Sequence, residues 1–260
     1  MGKKPISISI SISIKILAGD AVGEKGEHKH MTGPGITPPR QLTAPEIKIC
    51  GITVVEDALA CASLGADAVG LVFYPKSPRC VDINRAADIC SVLRADVARI
   101  GVFVDETFDG IMEKAKYCGL TGIQLHGKES PGLASRLRES GLRVIKALYT
   151  NKAPGLAEAD NFQDIAFLVE CAGGRLPGGN ALAWDWGSVR DFGARYPMVL
   201  AGGLSSENIA EAVAAAMPAA VDVSSGVEAA PGKKDYQKIK AFIQALHSLP
   251  YRQNKGRIFG

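Results

Sequence analysis

From residue 46 onward, the sequence repeats a strand-like run followed by a helix-like run about eight times over roughly 210 residues. This alternation predicts a parallel sheet, because parallel neighbours need a crossover between them and a helix supplies it. Eight such units favour a single closed (β/α)8 TIM barrel, in the α/β class, over an open doubly wound sheet. No strand is followed by GxGxxG, so a dinucleotide-binding fold lacks its fingerprint. The predicted strands cover 46–50, 68–73, 98–104, 122–125, 143–147, 165–170, 198–201 and 220–223.

The predicted helices lie between these strands. Thr53 is expected to cap the first helix, with Glu56 three residues later closing a capping box. Asp185 is expected to cap the sixth helix in the same way. The segment 151–160 is a weaker crossover, because Pro154 and Gly155 interrupt it. The stronger helices cover 54–64, 85–94, 108–118, 132–139, 187–195, 207–216 and 236–246.

Residues 1–45 differ in composition from the rest of the chain. Residues 6–14 alternate strictly between Ile and Ser, and a Gly-, Lys-, Glu- and His-rich stretch and a Pro/Gly-rich stretch follow. Low complexity and a high proline and glycine content are typical of segments without a packed core. We therefore expect a disordered or loosely attached extension at 1–45, a barrel domain at 46–248 and a tail at 249–260.

Charge and composition exclude several classes of function. The chain of 260 residues has a net charge of +3, so neither a nucleic-acid partner nor binding to an acidic membrane surface is indicated. No run approaches the roughly 18–20 apolar residues of a membrane span, and the start lacks the apolar core of a secretory signal. The six cysteines form no CxxC pair, so neither a disulfide framework nor a structural zinc site is expected. These features predict a protein of the reducing cytoplasm.

The first strand ends on Cys50, at the end of the barrel where active sites form. Side chains alternate along a strand, so Lys48 and Cys50 share a face that points into a closed barrel. Cys50 is therefore a candidate catalytic group. A cysteine in such a place is more commonly a small buried hydrophobe.

Two further strand ends carry candidate binding groups. Arg79 follows the second strand in a loop stiffened by Pro75 and Pro78, and its guanidinium could bind a carboxylate. The alternative is a solvated surface arginine. His126 ends the fourth strand before Gly127 and could orient a substrate or move a proton. The alternative is a hydrogen-bonded histidine at the barrel rim.

The sixth strand ends on an acid, Glu170, on the same face as Ala166 and Leu168. A carboxyl group at the end of an apolar strand is partly desolvated, which raises its pKa toward the range useful for a general acid. Together, Cys50 and Glu170 would supply one base and one acid.

The loops after the seventh and eighth strands predict a phosphate site. Small residues in both loops leave backbone N–H groups open to approach, and TIM barrels bind phosphate at these two strand ends. Two such loops are difficult to explain by packing alone. The residues concerned are Gly202, Gly203, Ser224, Ser225 and Gly226.

Short motifs along the barrel region point to a known family. They are KICGIT at 48–53, GADAVGLVF at 65–73, SPR at 77–79, GVFV at 101–104, IQLHG at 123–127, DW at 185–186, LAGGL at 200–204 with EN at 207–208, DVSSGVE at 222–228 and PGKKD at 231–235. Together they resemble phosphoribosylanthranilate isomerase, the Amadori-rearrangement enzyme of tryptophan biosynthesis. The resemblance covers 46–247 and none of 1–45.

The resemblance implies a role for each matching residue. Cys50 matches the family's general base, and Arg79 matches the residue that binds the anthranilate carboxylate. His126 and Asp222 match positions that line the substrate pocket. Gly203, Ser225 and Gly226 match the phosphate cradle. The implied substrate is a small phosphosugar, no metal or organic cofactor is needed, and the protein is a monomer or a homodimer.

One catalytic position departs from the family pattern. The family's general acid is an aspartate at the end of the sixth strand, whereas this chain has Glu170, which carries the same acid on a longer stem. The loop at 177–180 also differs. Two alternatives therefore stay open: another phosphosugar isomerase or epimerase barrel, and a phosphosugar-binding barrel with impaired catalysis.

Overall fold

The computed structural model describes residues 44–171, 184–250 and 257–260. Eight strands in these ranges close into a barrel in sequence order, and β1 pairs in parallel with both β2 and β8. The predicted TIM barrel is therefore confirmed, and the predicted strand ends agree to within two residues. The strands are β1 (Glu46–Cys50), β2 (Ala68–Val72), β3 (Ala98–Phe103), β4 (Gly122–Leu125), β5 (Arg143–Tyr149), β6 (Ala166–Glu170), β7 (Met198–Leu200) and β8 (Ala220–Val223).

Helices connect most of the strands. The crossover between β5 and β6 is a 3-10 helix, Leu156–Asn161, as the interruption at Pro154 and Gly155 suggested. The predicted sixth helix is divided into a 3-10 turn, Trp186–Val189, and a short α-helix. The α-helices are α1 (Val55–Leu64), α2 (Ile83–Ser91), α3 (Phe108–Cys118), α4 (Pro131–Glu139), α5 (Arg190–Arg195), α6 (Ile209–Ala216) and α7 (Tyr236–His247).

Helix caps were predicted with mixed success. The Asp185 carboxylate accepts a hydrogen bond from the N–H of Gly187, as expected of a cap. The prediction for α1 was wrong. Val54 occupies the cap position without a side-chain hydrogen bond. The Thr53 hydroxyl instead donates to the carbonyl oxygen of Gly232 at 2.6 Å, a tertiary contact that replaces the local one.

The strand alternation divides the core into two layers. Ile47 and Ile49 of β1 pack outward against the helices in the larger buried cluster. The lumen of the barrel holds a separate cluster, to which Ile258 and Phe259 near the end of the chain also belong. Among the described residues, no helix is both long enough and apolar enough to cross a membrane.

Two predictions concern residues outside the described ranges. Residues 1–43 of the extension expected at 1–45 lie outside the described ranges, and so does the loop at 177–180. Beyond β8 the chain forms a short antiparallel hairpin, β9 (Glu228–Ala230) and β10 (Lys233–Lys234), before α7. This hairpin brings two charged residues back toward the end of β1.

Candidate active site

All the site residues predicted from the sequence line one cavity at the carboxyl ends of the strands. We call this end of the barrel the carboxyl mouth. The empty volume of the cavity is about 790 Å³, within the usual range for small-molecule sites. The predicted residues are Cys50, Arg79, His126, Glu170, Gly202, Gly203, Asp222, Ser224, Ser225 and Gly226.

Cys50 is buried at the end of β1, with 8% of its surface exposed. Its side chain fits because the neighbouring residue on β2 is Gly70. A Cβ atom at Gly70 would lie 2.7 Å from the Cys50 Sγ and 3.0 Å from the Lys48 Nζ. Burial raises the pKa of the Cys50 thiol, and the nearby charge of Lys48 opposes this without reversing it. Cys50 is therefore a neutral thiol at neutral pH.

Lys48 lies below Cys50 on the same face of β1 and is fully buried. Its Nζ donates to the Asp222 Oδ1 at 2.9 Å. Burial by itself lowers the pKa of Lys48, but the attraction of Asp222 and Cys50 outweighs it and the net shift is upward. Lys48 is thus a cation paired with an acid inside the barrel, and it also lies close enough to Cys50 to stabilise a thiolate.

Arg79 is held in the cavity by an acid that the sequence analysis did not single out. Its Nε and Nη2 donate to the two carboxylate oxygens of Glu228 at 2.8 and 2.7 Å. This bidentate bond raises the pKa of Arg79. Burial tends to raise the pKa of Glu228, but the bond from Arg79 and the charge of Lys234 give a net downward shift. Glu228 is therefore ionised and fixes the guanidinium plane.

Lys234 of the β10 strand connects Glu228 to the ends of β1 and β8. Its Nζ donates to the Glu228 Oε1 at 2.9 Å and to the carbonyl oxygens of Cys50 at 2.6 Å and Ser224 at 3.1 Å. Burial lowers the pKa of Lys234, and Glu228 counteracts this shift. The site thus contains a chain of charges from Arg79 through Glu228 to Lys234. Arg79 and Glu228 are 149 residues apart in sequence, and Glu228 and Lys234 are 6 residues apart.

Glu170 and His126 form a buried pair on the opposite side of the cavity. The His126 Nε2 lies 3.1 Å from the Glu170 Oε1, and the His126 Nδ1 lies 2.8 Å from the Gln124 Nε2. His126 thus connects Gln124 to the Glu170 carboxyl group inside the cavity.

A third buried lysine supports the loop that follows His126. The Lys146 Nζ donates to the Glu129 Oε2 at 3.0 Å and to the Gly127 carbonyl oxygen at 2.7 Å. The Glu129 carboxylate in turn accepts hydrogen bonds from the N–H groups of Gly127 and Asp105. Burial lowers the pKa of Lys146, and the charge of Glu129 opposes this. The backbone beside His126 is thus fixed from both sides.

The loops after β7 and β8 approach each other closely at their glycines. Gly202 and Gly203 have φ angles of 86° and 70°, a conformation that residues with a Cβ rarely adopt. A Cβ atom at Gly226 would lie only 1.9 Å from the carbonyl oxygen of Leu204. The Ser224 hydroxyl donates to the Cys50 carbonyl oxygen at 3.0 Å and so joins β8 to β1. Glycine is therefore required at residue 226 by the contact between the two loops.

Comparison with known proteins places the chain in a family. A sequence model of "N-(5'phosphoribosyl)anthranilate (PRA) isomerase" matches residues 47–245. This chain belongs to the N-(5'-phosphoribosyl)anthranilate isomerase family. The family member from Desulfatibacillum aliphaticivorans is 53% identical over 199 residues, which is 76% of this chain and 91% of that protein. The one from Acidithiobacillus ferrooxidans is 46% identical over 199 residues, which is 76% of this chain and 95% of that protein.

Solved structures of N-(5'-phosphoribosyl)anthranilate isomerases have the same fold. The crystal structure of the Thermotoga maritima enzyme superposes with a TM-score of 0.74 at 41% identity, covering 79% of this chain and all of that one. A second isomerase structure, with a TM-score of 0.71 at 40% identity and the same 79% coverage, contains reduced 1-(o-carboxyphenylamino)-1-deoxyribulose 5-phosphate. Residues 246–260 lie beyond the segment that the isomerase family model matches.

Proposed function

We propose that this chain converts N-(5'-phosphoribosyl)anthranilate to 1-(2-carboxyphenylamino)-1-deoxyribulose 5-phosphate, with Cys50 as general base and Glu170 as general acid. As a member of the family, the chain is an isomerase of tryptophan biosynthesis. One observation carries the roles: Cys50 and Glu170 end two different strands and line the same cavity. Such a rearrangement needs an acid that opens the sugar ring and a base that removes a carbon-bound proton.

The cavity offers a separate binding group for each end of the substrate. We assign the phosphate to the loops of Gly202, Gly203, Ser225 and Gly226, where TIM barrels bind phosphate. We assign the anthranilate carboxylate to Arg79. Because the Nε and one N–H of the Nη2 are bonded to Glu228, the Nη1 and the second N–H of the Nη2 are left for the substrate. Ser224 acts through its bond to the Cys50 carbonyl oxygen.

Ring opening is the first step of the proposed mechanism. Protonated Glu170 gives its proton to the ring oxygen of the ribose. The bond between this oxygen and C1' breaks, and the nitrogen lone pair of the anthranilate forms a C1'=N double bond. The product is an open-chain iminium ion and a Glu170 carboxylate, which the N–H of His126 stabilises at the Oε1.

Proton removal from C2' is the second step. The Cys50 thiolate takes this proton, the electron pair forms a C1'=C2' double bond, and the nitrogen becomes neutral. The resulting enolamine tautomerises to the ketose as C1' gains a proton and the C2' hydroxyl group loses one. Formation of the thiolate is opposed by burial and favoured by the adjacent cation of Lys48.

Partners and location complete the proposal. The substrate is a small phosphosugar, and the protein acts as a monomer or a homodimer; one Thermotoga maritima structure contains monomers of an isomerase described as dimeric. All six cysteines are free, which suits the reducing cytoplasm. Size-exclusion chromatography with light scattering distinguishes the monomer from the dimer.

Turnover by the purified Cys50→Ala variant tests the base. We expect kcat to fall about 100- to 10,000-fold, the usual contribution of a general base, with binding of the product retained. Cys61→Ala is the matched control, because Cys61 is also buried but lies in α1, away from the cavity. Undiminished turnover by Cys50→Ala, or equal losses in both variants, would contradict the assignment.

Glu170→Gln, Glu170→Asp and Asp185→Asn test the acid. Glu170→Gln should lose kcat by a similar factor, whereas Glu170→Asp keeps the acid group and should retain most activity. Asp185 caps a 3-10 turn, so Asp185→Asn should change stability more than turnover. Complementation of a tryptophan auxotroph that lacks this isomerase provides the same comparison in cells. Ligand binding without turnover in the unmodified chain would favour the impaired-barrel alternative.

A further inference from the structure

The end of the barrel opposite the cavity, which we call the amino mouth, is lined by unusually small side chains. Four strands begin on alanine, and all four alanines are buried in the cluster inside the lumen. A one-carbon side chain at the first position of a strand leaves that end of a barrel unfilled. The residues are Ala68, Ala98, Ala166 and Ala220.

Residues 257–260 of the same chain fill this space. We call them the tail segment. Ile258 and Phe259 are only 7% and 2% exposed, and both belong to the cluster inside the lumen. They are therefore buried as deeply as the strand residues around them. Ring and alkyl groups of this size supply the volume that the four alanines lack.

The polar contacts of the tail segment converge on one carboxylate. Glu46, the first residue of β1, accepts hydrogen bonds from the backbone N–H groups of Ile258, Phe259 and Gly260. Arg257 adds an Nε bond to Glu46 and an Nη2 bond to Asp67, each at 3.2 Å. Successive amides directed at one anion, together with an ion pair, are a typical way to recognise a peptide.

We propose that the amino mouth is a peptide-binding site, and that its ligand is the tail segment of the same chain. The preferred ligand has a basic residue, an aliphatic residue, an aromatic residue and then glycine. The tail segment lies outside residues 47–245, the part of the chain that the family model matches. Because the cavity with Cys50 lies at the opposite end, occupancy of the amino mouth controls stability and not turnover.

The test compares the full chain with a variant that ends at Pro250. Removing the tail segment exposes the apolar amino mouth, and Tm should fall by about 5–10 °C, with kcat/KM within about twofold of the full chain. The N-acetylated peptide Arg-Ile-Phe-Gly, added at millimolar concentration, should raise the Tm of the truncated protein by about 3 °C in a saturable way. The control peptide Arg-Ala-Ala-Gly should have no effect.

A second measurement needs no truncation. In the full chain, Glu46→Gln and Phe259→Ala each lower Tm, and the double variant should lose less than the sum because both changes disrupt one bound segment. An unchanged Tm after truncation, equal effects of the two peptides, or additive losses in the double variant would overturn the proposal. A Tm of the full chain that falls on dilution would show that a second copy supplies the tail segment, and would overturn its intrachain assignment.

Discussion

The two mouths of the barrel differ in the side chains that fill the lumen there. The carboxyl mouth contains buried charges, each next to a counter-charge: Lys48 with Asp222, and Arg79 and Lys234 with Glu228. The amino mouth contains alanines, and apolar side chains from a distant part of the chain fill it. One end therefore keeps polar groups desolvated and fixed, whereas the other buries apolar area.

A single strand illustrates this division. The inward row of β1 begins with Glu46 at the amino mouth, passes through Lys48 and ends with Cys50 at the carboxyl mouth. Neighbouring members of this row are two residues apart, yet their partners belong to different segments of the chain. Stability and catalysis can therefore be changed separately on one strand, because Glu46 faces the amino mouth and Cys50 faces the carboxyl mouth.

The largest expected effect comes from removing a matched carboxylate at each mouth. Glu228→Ala leaves Arg79 and Lys234 buried without a counter-charge, so the unfolding free energy should fall by about 3–5 kcal/mol. Displacement of Arg79 should also lower kcat/KM about 100-fold. Glu46→Ala should cost about 1–2 kcal/mol of stability. Urea unfolding and steady-state kinetics measure both quantities. Equal losses of kcat/KM in the two variants would show that the mouths are not independent.

A smaller effect is expected from enlarging a small residue of β2, either Gly70 in its middle or Ala68 at its start. Gly70→Ala introduces a Cβ atom 2.7 Å from the Cys50 Sγ. Moving the thiol should lower kcat about 10- to 100-fold. Ala68→Val overfills the lumen near the tail segment and should cost about 1–3 kcal/mol of stability with kcat retained. Stopped-flow turnover and thermal unfolding separate the two outcomes, and the reverse pattern would break the comparison.

The smallest expected effect is a shift in the pH dependence of kcat/KM. Burial raises the pKa of Cys50 above that of an ordinary thiol, so kcat/KM should rise with pH from neutral into the alkaline range as the thiolate forms. The negative charge of Asp222 raises the same pKa, so Asp222→Asn should move the rise to lower pH. Phe259→Ala at the amino mouth should leave it in place. A flat profile of kcat/KM between about pH 6 and pH 9 would show that ionisation of the thiol does not limit the reaction.

Much of the fold could be predicted from the sequence, because its signals are local. Alternation and apolar runs located all eight strands, and the carboxyl ends of parallel strands meet at one edge, so Cys50, His126 and Glu170 could be expected near one another. The cap at Thr53 could not be predicted correctly. Its hydroxyl bonds to Gly232, 179 residues later, and no local pattern reveals that partner.

The same reason explains which parts of the candidate site were missed. Glu228 and Lys234 belong to a motif that was recognised, but their contact with Arg79 depends on the hairpin β9–β10 folding back over the end of β1. Gln124 follows a strand alternation that gives no indication of its bond to His126. The tail segment is four residues long and shows no periodicity, so neither its burial nor its contact with Glu46 could be inferred.

The three buried lysine pairs also constrain how related sequences can diverge. Lys48 pairs with Asp222, Lys146 with Glu129 and Lys234 with Glu228, and all three lysine side chains are buried. A substitution that removes one member leaves an unpaired buried charge and is strongly destabilising, whereas replacing both with apolar residues is tolerated far better. Single replacements at these positions should therefore be rare among natural relatives, and a change at one position should be accompanied by a compensating change at the other.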